Sequence, residues 1–267
     1  MFYQKIVDAF KLSKGDSVWI SSELIKLALA SKKYISNFDG NRLIDAFQNA
    51  VGSEGTILIP TFSFEFSNKH RYDIKNTRCV TGALGNLALK RDDFSRTRHP
   101  MHSFAVWGKD RDYLASLENT HSFGCDSPFS YCISGNVKQI MLGTDYVHAF
   151  TFVHYAETCC AVPYRFNKKF TGEYINGNGE CELKTFDYYA RDLNINPQER
   201  FNRIGKVLED LKLSEKITVE NIDSYLVDLK KSFMVICKDI TENDCSNIYD
   251  FAIPRNEVFH KNVIGKK

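Results

Sequence analysis

The sequence lacks several signals that would settle its class at once. Its eight cysteines include no Cys-x-x-Cys pair and follow no framework spacing, which excludes the common zinc and dithiol motifs. No apolar run approaches the roughly 18 residues of a membrane span. The N-terminus, Met1-Phe2-Tyr3-Gln4-Lys5, has no basic stretch followed by an apolar one, so no secretory signal is expected. Free thiols in a reducing cytoplasm are then the expectation, with no contact to a membrane. A basic block is missing too. The formal net charge is only +2, with a pI near 8.0, too balanced for a general nucleic-acid binder. Internal repeats and low-complexity tracts are absent. His99 and His102 are three apart, but Pro100 stands between them and no third ligand sits at a standard spacing, so no metal is expected.

What is present is ample material for a core: 20 Phe and 13 Tyr in 267 residues. Residues 2–12 carry Phe2, Ile6 and Phe10 at helical spacing. Ser17-Val18-Trp19-Ile20 reads as a short strand. Residues 40–51 form an amphipathic helix through Leu43, Ile44, Phe47 and Val51, and Thr56-Ile57-Leu58-Ile59-Pro60 is a buried strand. Residues 65–80 read as a polar loop, and Ser103 to Trp107 as another strand. Ser127 followed by Pro128 is a helix start. Helix and strand alternate, so the fold class is α/β: a central mixed sheet flanked by helices. After residue 160 the texture changes. Residues 163–190 alternate aromatic and polar around Asn176-Gly177-Asn178-Gly179, an appended β-hairpin. Pro197 opens a helix through Leu208, and residues 221–238 read as a last helix with Leu226, Leu229, Phe233 and Ile236 inward. One domain over 1–267 is expected: an α/β half over 1–160, and a hairpin with C-terminal helices over 161–267 that shares its core.

Residues 137–157 organise the rest. Val137 to Leu142 is a buried strand, Gly143 a turn carrying Asp145, and His154 and Glu157 follow three apart, on one face of a helix. A neutral imidazole can take a proton at neutral pH, and a carboxylate on its far nitrogen fixes its tautomer. Asp145 and Glu157 are both candidates for that carboxylate. A buried histidine bonded to a backbone carbonyl would give the same pattern. Ser21 and Ser22, just past the first strand, could bond a ligand's amides or phosphates, or cap the next helix.

Taken together, the motifs resemble those of the aminoglycoside 3-N-acetyltransferase family of acyl-CoA-dependent N-acyltransferases. The matching stretches are Gly55 to Thr61, His99-Pro100-Met101-His102-Ser103-Phe104 on to Gly108, Phe123 to Pro128, Met141-Leu142-Gly143, and His154-Tyr155-Ala156-Glu157. Phe201-Asn202-Arg203-Ile204-Gly205 matches a weaker downstream motif. The resemblance implies a mixed α/β fold, acyl-CoA as donor, a primary amine on a sugar as acceptor, and direct transfer without a covalent enzyme intermediate. It places His154 on the catalytic histidine, Glu157 on the acid that follows it, and Asp145 on an acidic site residue. It aligns Ser21-Ser22 and Ser103-Phe104 with segments lining the CoA channel. Backbone N–H groups near Ser103-Phe104 would then face the oxyanion, and Arg96 and Arg98 would meet the phosphates of CoA.

Within that reading, charge bears on the acceptor. A site for a polycationic aminoglycoside should be acidic, yet no acidic cluster stands out. The hairpin offers Tyr164, Phe166, Phe170, Tyr174, Phe186, Tyr188 and Tyr189 beside Arg165, Lys168, Lys169 and Arg191. Aromatic faces can stack a base and cations can hold a pyrophosphate, so a nucleotide-linked amino sugar is the expected acceptor and an aminoglycoside the alternative. The same residues could instead be hairpin core with a wet face, or the surface of a homodimer. Two other classes compete: a cysteine nucleophile among Cys125, Cys132, Cys159 and Cys160, and a binding module without turnover.

Overall fold

Apolar runs that alternate across a pleat make the centre of the molecule. The computed structural model describes residues 2–259; Met1 and residues 260–267, which the single-domain expectation includes, lie outside the described residues. The strands in chain order are β1 (Ser17–Ser22), β2 (Thr56–Pro60), β3 (Arg71–Asp73), β4 (Ser95–Arg96), β5 (Phe104–Gly108) and β6 (Lys138–Leu142). They continue with β7 (Arg165–Ile175), β8 (Cys181–Arg191), β9 (Gln198–Glu199), β10 (Ser214–Val219), β11 (Ile222–Asp228) and β12 (Tyr249–Asp250). The helices are α1 (Phe2–Asp8), α2 (Leu24–Ser31), α3 (Gly40–Val51), α4 (Glu65–Lys69), α5 (Ala83–Ala88) and α6 (Arg111–Ser116). After these come α7 (Pro128–Ser134), α8 (Tyr146–Ala149), α9 (Val153–Cys159), α10 (Phe201–Asp210), α11 (Leu229–Glu242) and α12 (Arg255–Phe259).

Seven strands form one mixed sheet in the order β10-β11-β6-β1-β2-β5-β4. The three middle strands, β6, β1 and β2, run parallel, and β11 and β5 flank them antiparallel. Both faces are covered, so these strands read as unbroken apolar runs. Val18, Ile20, Ile57, Ile59, Ile140 and Leu142 turn to one cluster with Phe47 of α3, while Trp19, Leu58 and Met141 turn to the other with Phe104 and Phe129. The second cluster also takes Phe201, Ile204, Val227, Ile236 and Tyr249, so the chain beyond residue 160 adds both strands and core to the sheet. β7 and β8 are the expected hairpin and pair with β3 in a smaller sheet.

The structure corrects three sequence expectations. Residues 65–80 hold α4 and β3 rather than a loop alone. Residues 221–238 are not one helix. Glu220 and Asn221 have φ of +53° and +59° and turn β10 into β11 as a two-residue hairpin. The helix begins only after Asp228, whose carboxylate accepts from the Lys231 N–H at 3.0 Å. Leu226 fell in phase with the helix that follows it, and this masked the strand. Pro197 does not open α10 either; Gln198–Glu199 first pairs with Tyr249–Asp250.

The parallel strands β1, β2 and β6 all end on one edge of the sheet, where α/β proteins build their sites. α10 packs on that region through Gly205, where an added Cβ would overlap the Tyr146 ring, itself 2% exposed. Alanine normally stabilises a helix over glycine. Here the expected outcome has the opposite sign: Gly205→Ala should lose about 1–3 kcal/mol in urea denaturation, and a gain would show that the contact is loose.

Candidate active site

The chain leaves β6 through Gly143, at φ +71°, a conformation that glycine adopts without strain. Asp145 then caps α8 by accepting from the His148 N–H at 3.1 Å. One turn later α9 begins and sets His154 and Glu157 side by side. His154 Nδ1 lies 2.7 Å from Glu157 Oε2. The Glu157 carboxylate is fully buried. Its other oxygen accepts from the Tyr164 hydroxyl at 2.9 Å. Arg165 Nε stands 2.7 Å from Oε2 as an ion-pair partner, though its N–H is not aligned for a hydrogen bond. Arg165 also donates through Nη2 to the Tyr249 hydroxyl at 2.9 Å.

These contacts set the charge states. Burial works against an ionised Glu157, but the charge of Arg165, with hydrogen bonds from His154 and Tyr249, holds its carboxyl below the usual range. Burial first, and then the charge of Arg165, push His154 below the ordinary histidine value against the pull of Glu157. The site therefore holds an ionised carboxylate and a neutral imidazole at pH 7. The proton of that imidazole sits on Nδ1, facing Glu157, and its Nε2 carries a free lone pair. The ring is wedged between Phe123 and Phe201, with centroids at 5.6 and 5.9 Å.

Two cavities lie in this part of the molecule, and one of them reaches His154. The one touching His154, about 570 Å³, is walled by the hairpin. Register explains the wall: Phe166 pairs with Ala190 and Lys168 with Tyr188, so these four share one face, and all four line the cavity with Arg191 and Glu199. The other cavity, about 620 Å³, opens at the ends of β1 and β2 and is lined by Trp19, Ser21, Ser22, Pro60, Phe62 and Gly82 among others. Phe64, on this larger cavity, meets Tyr188, on the smaller, edge to face at 6.1 Å.

The expected site residues divide. His154 and Glu157 come together, and Ser21 and Ser22 reach the larger cavity, Ser22 with a sealed hydroxyl that no protein group bonds. Asp145 does not touch His154. It faces His148, whose Nδ1 is 2.5 Å away, and Asn202 at 3.4 Å, so the carboxylate on His154 is Glu157. Ser103 and Phe104 are fully buried and line neither cavity. The Ser103 hydroxyl is spent on Thr61 and Arg96, and the Phe104 N–H donates to Thr97 at 2.9 Å. Neither forms a wall of these cavities, and the Phe104 N–H is already committed. Arg98 pairs with Glu118 and donates to the Ala115 carbonyl at 3.2 Å, away from both cavities. Arg96 is locked among the carbonyls of Thr61, Ile74 and Thr77.

Of the hairpin aromatics, Tyr164, Tyr174, Phe186 and Tyr189 are core, whereas Phe166 and Tyr188 face the cavity. Cys125, Cys132, Cys159 and Cys160 line neither cavity. Among the described residues no cluster of three or more His, Cys, Asp or Glu is arranged to hold a metal ion. Apart from His154, the partners of Glu157 escaped the sequence reading. Tyr249 lies too far along the chain for any spacing rule to connect it, and Tyr164-Arg165 looked like ordinary hairpin residues.

His99 and His102 share the neutral state of His154. Burial lowers His99 to about 3 and His102 well below its ordinary value. Between the ordinary 6.5 and those folded values the unfolded chain binds protons that the native one does not. Stability therefore rises with pH through this interval and is lost as pH falls below 6.5. The melting temperature should drop steadily from pH 7 to pH 5, with a slope of up to about 1.4 kcal/mol per pH unit for each such group; a flat profile would mean that these histidines are charged in the folded state.

The sequence model of the aminoglycoside 3-N-acetyltransferase family matches residues 27–239. Solved structures agree in fold. Aminoglycoside acetyltransferase AAC(3)-Xa superposes with a TM-score of 0.75 over 90% of this chain and 92% of its own, at 19% identity. AAC-IIIb in a binary complex with CoASH gives 0.75 over 90% and 95%, at 15% identity. AAC-VIa bound to sisomicin gives 0.72 over 90% and 96%, at 17% identity. The family match runs from α2 through α11 and takes in the His154–Glu157 pair, so the chain belongs to the aminoglycoside 3-N-acetyltransferase family.

Proposed function

We propose that the protein transfers an acyl group from acyl-CoA to a primary amine of an aminoglycoside or a closely related amino sugar, with His154 as general base. The observation that carries this reading is the neutral His154 imidazole, held by the buried Glu157 carboxylate at the edge of a cavity of about 570 Å³. Family membership supports the reaction class, and CoASH and sisomicin are the ligands of two relatives of the same fold.

The chemistry follows from the geometry. An amine with a pKa near 8 is about one-tenth neutral at pH 7. Its nitrogen lone pair attacks the thioester carbonyl, and the N–H proton passes to His154 Nε2 as charge develops. Glu157 stabilises the imidazolium that forms. The C–S bond of the tetrahedral intermediate then breaks, and the departing thiolate takes the proton back from Nε2. The products are an amide and CoA thiol, and His154 is neutral again. The acyl-CoA is assigned to the larger cavity, where Ser21 offers a hydrogen bond to its amide arm. The acceptor is assigned to the cavity walled by the hairpin.

A nucleotide-linked amino sugar is the second reading. It is favoured by one observation, the Phe166, Tyr188, Lys168 and Arg191 side chains on that wall. The aminoglycoside reading comes first because the family match and the ligand of AAC-VIa both favour it. Thiol release from acetyl-CoA should appear with aminoglycosides and fall by at least about 100-fold in kcat for His154→Asn. Turnover confined to nucleotide sugars would reverse the order of the two readings. A near-normal rate in His154→Asn would remove the base.

A further inference from the structure

His102 is the buried titratable group that this reaction scheme leaves unused, and its hydrogen bonds fix which nitrogen carries the proton. His99 Nδ1 accepts the backbone N–H groups of Met101 and His102 at 3.3 and 3.2 Å, so the His99 proton is on Nε2, 3.4 Å from the Ser122 hydroxyl. Ser122 Oγ lies 3.1 Å from the Asp187 carbonyl and 2.9 Å from His102 Nδ1. The Asp187 carbonyl, which also accepts the Ser122 backbone N–H at 3.2 Å, can only accept, and with the single Ser122 proton directed to it the hydroxyl oxygen is free to accept from His102 Nδ1–H. One placement alone puts a proton between each close pair, and it leaves His102 Nε2 as a bare lone pair.

That lone pair takes no hydrogen bond from the described residues, yet it is not among the sealed, unpartnered polar atoms. The His102 ring is 4% exposed. It lies flat on Tyr188, with centroids 5.7 Å apart and planes at 4°, and it touches Phe62 and Phe64 edge to face. Tyr188 lines the acceptor-side cavity, and Phe62 and Phe64 line the other. Phe123 contacts both histidine rings, at 4.8 Å from His102 and 5.6 Å from His154. His102 lines neither cavity itself but stands behind rings that wall both, one ring away from His154 and without a bond to it.

We propose that His102 is an acceptor-positioning residue, whose Nε2 lone pair receives a hydrogen bond from an N–H of the amino sugar while His154 serves the reacting nitrogen. This rests on the acyl-transfer reading. It also accounts for a site that would hold a polyamine without an acidic cluster: a neutral imidazole accepts from an ammonium and brings no charge of its own. Ser122 and His99 act through His102 by holding its tautomer.

The test is steady-state kinetics with acetyl-CoA and sisomicin, together with nitrogen NMR of the histidine rings in the whole protein. His102→Phe keeps the ring packing and removes the acceptor, so KM for sisomicin should rise about 10-fold or more while KM for acetyl-CoA stays within about twofold. His102→Gln returns an acceptor and should recover part of the loss. In the wild type, His102 should show a protonated Nδ1 and a bare Nε2 whose resonance moves as sisomicin is added. An unchanged sisomicin KM in His102→Phe, a rise confined to acetyl-CoA, or a protonated Nε2 would each overturn the proposal. If the wild type acetylates no amine, the acyl-transfer reading fails by itself. The NMR titration then decides on His102, with a moving Nε2 resonance supporting it and a static one sinking it. The titration needs no variant, so a His102→Phe chain that does not fold leaves the decision intact.

Discussion

A carboxylate sealed from water is the constraint on which the site depends. Glu157 is fully buried, and an ion in such a place is costly unless every lone pair is met. Here one oxygen takes Tyr164 and the other faces His154 and Arg165. These partners come from three parts of the chain, α9, the start of β7, and, through Arg165, β12. The stabilisation from such a cluster is modest against an apolar equivalent, but removing one member leaves a buried charge alone and typically costs about 3–5 kcal/mol. The cluster therefore serves geometry more than stability. It holds the imidazole in one tautomer, and it ties the hairpin to the helix that carries His154.

The sheet supplies the other half of the geometry. Parallel strands β6, β1 and β2 deliver three chain ends to one edge, and the larger cavity opens there between Ser21, Ser22 and Phe62. The hairpin closes the opposite side. Phe64, His102 and Tyr188 stand between the two spaces as contacting rings. Under the proposed acyl transfer, donor and acceptor would approach from different sides of these rings. Buried Cys132, its thiol pushed up by desolvation, offers no nucleophile to interrupt it.

Much of this was legible in the residues. Helix 40–51 and strand 56–60 appear with the bounds their periodicity gives, because each is amphipathic or uniformly apolar and sharply terminated. Ser127 caps its helix ahead of Pro128, and the spacing of His154 and Glu157 made their contact legible before any fold was known. Local signals failed where a long-range partner decides. β10 and β11 hid because their turn residues, Glu220 and Asn221, are not the glycines that usually mark such a turn, and because Leu226 kept step with the next helix. Arg98 and Ser103 looked like ligand contacts because their polarity carried no hint that Glu118, Thr61 and Arg96 had already claimed them. Asp145 and Glu157 were equal candidates in sequence, and only the direction in which α8 and α9 point their side chains separates them.

The open end of the β7–β8 hairpin has two duties. Phe166, Lys168, Tyr188 and Ala190 line the cavity, and Arg165, at the strand's end, borders it too while pairing with the buried Glu157 carboxylate. Different side chains within a few residues of chain thus wall the cavity and hold the carboxylate beside His154. The side chains Phe166, Lys168 and Tyr188 can therefore be exchanged without removing any partner of Glu157. Under the proposed acyl transfer, diversification of acceptor range on a constant reaction is the evolutionary course that this hairpin leaves open.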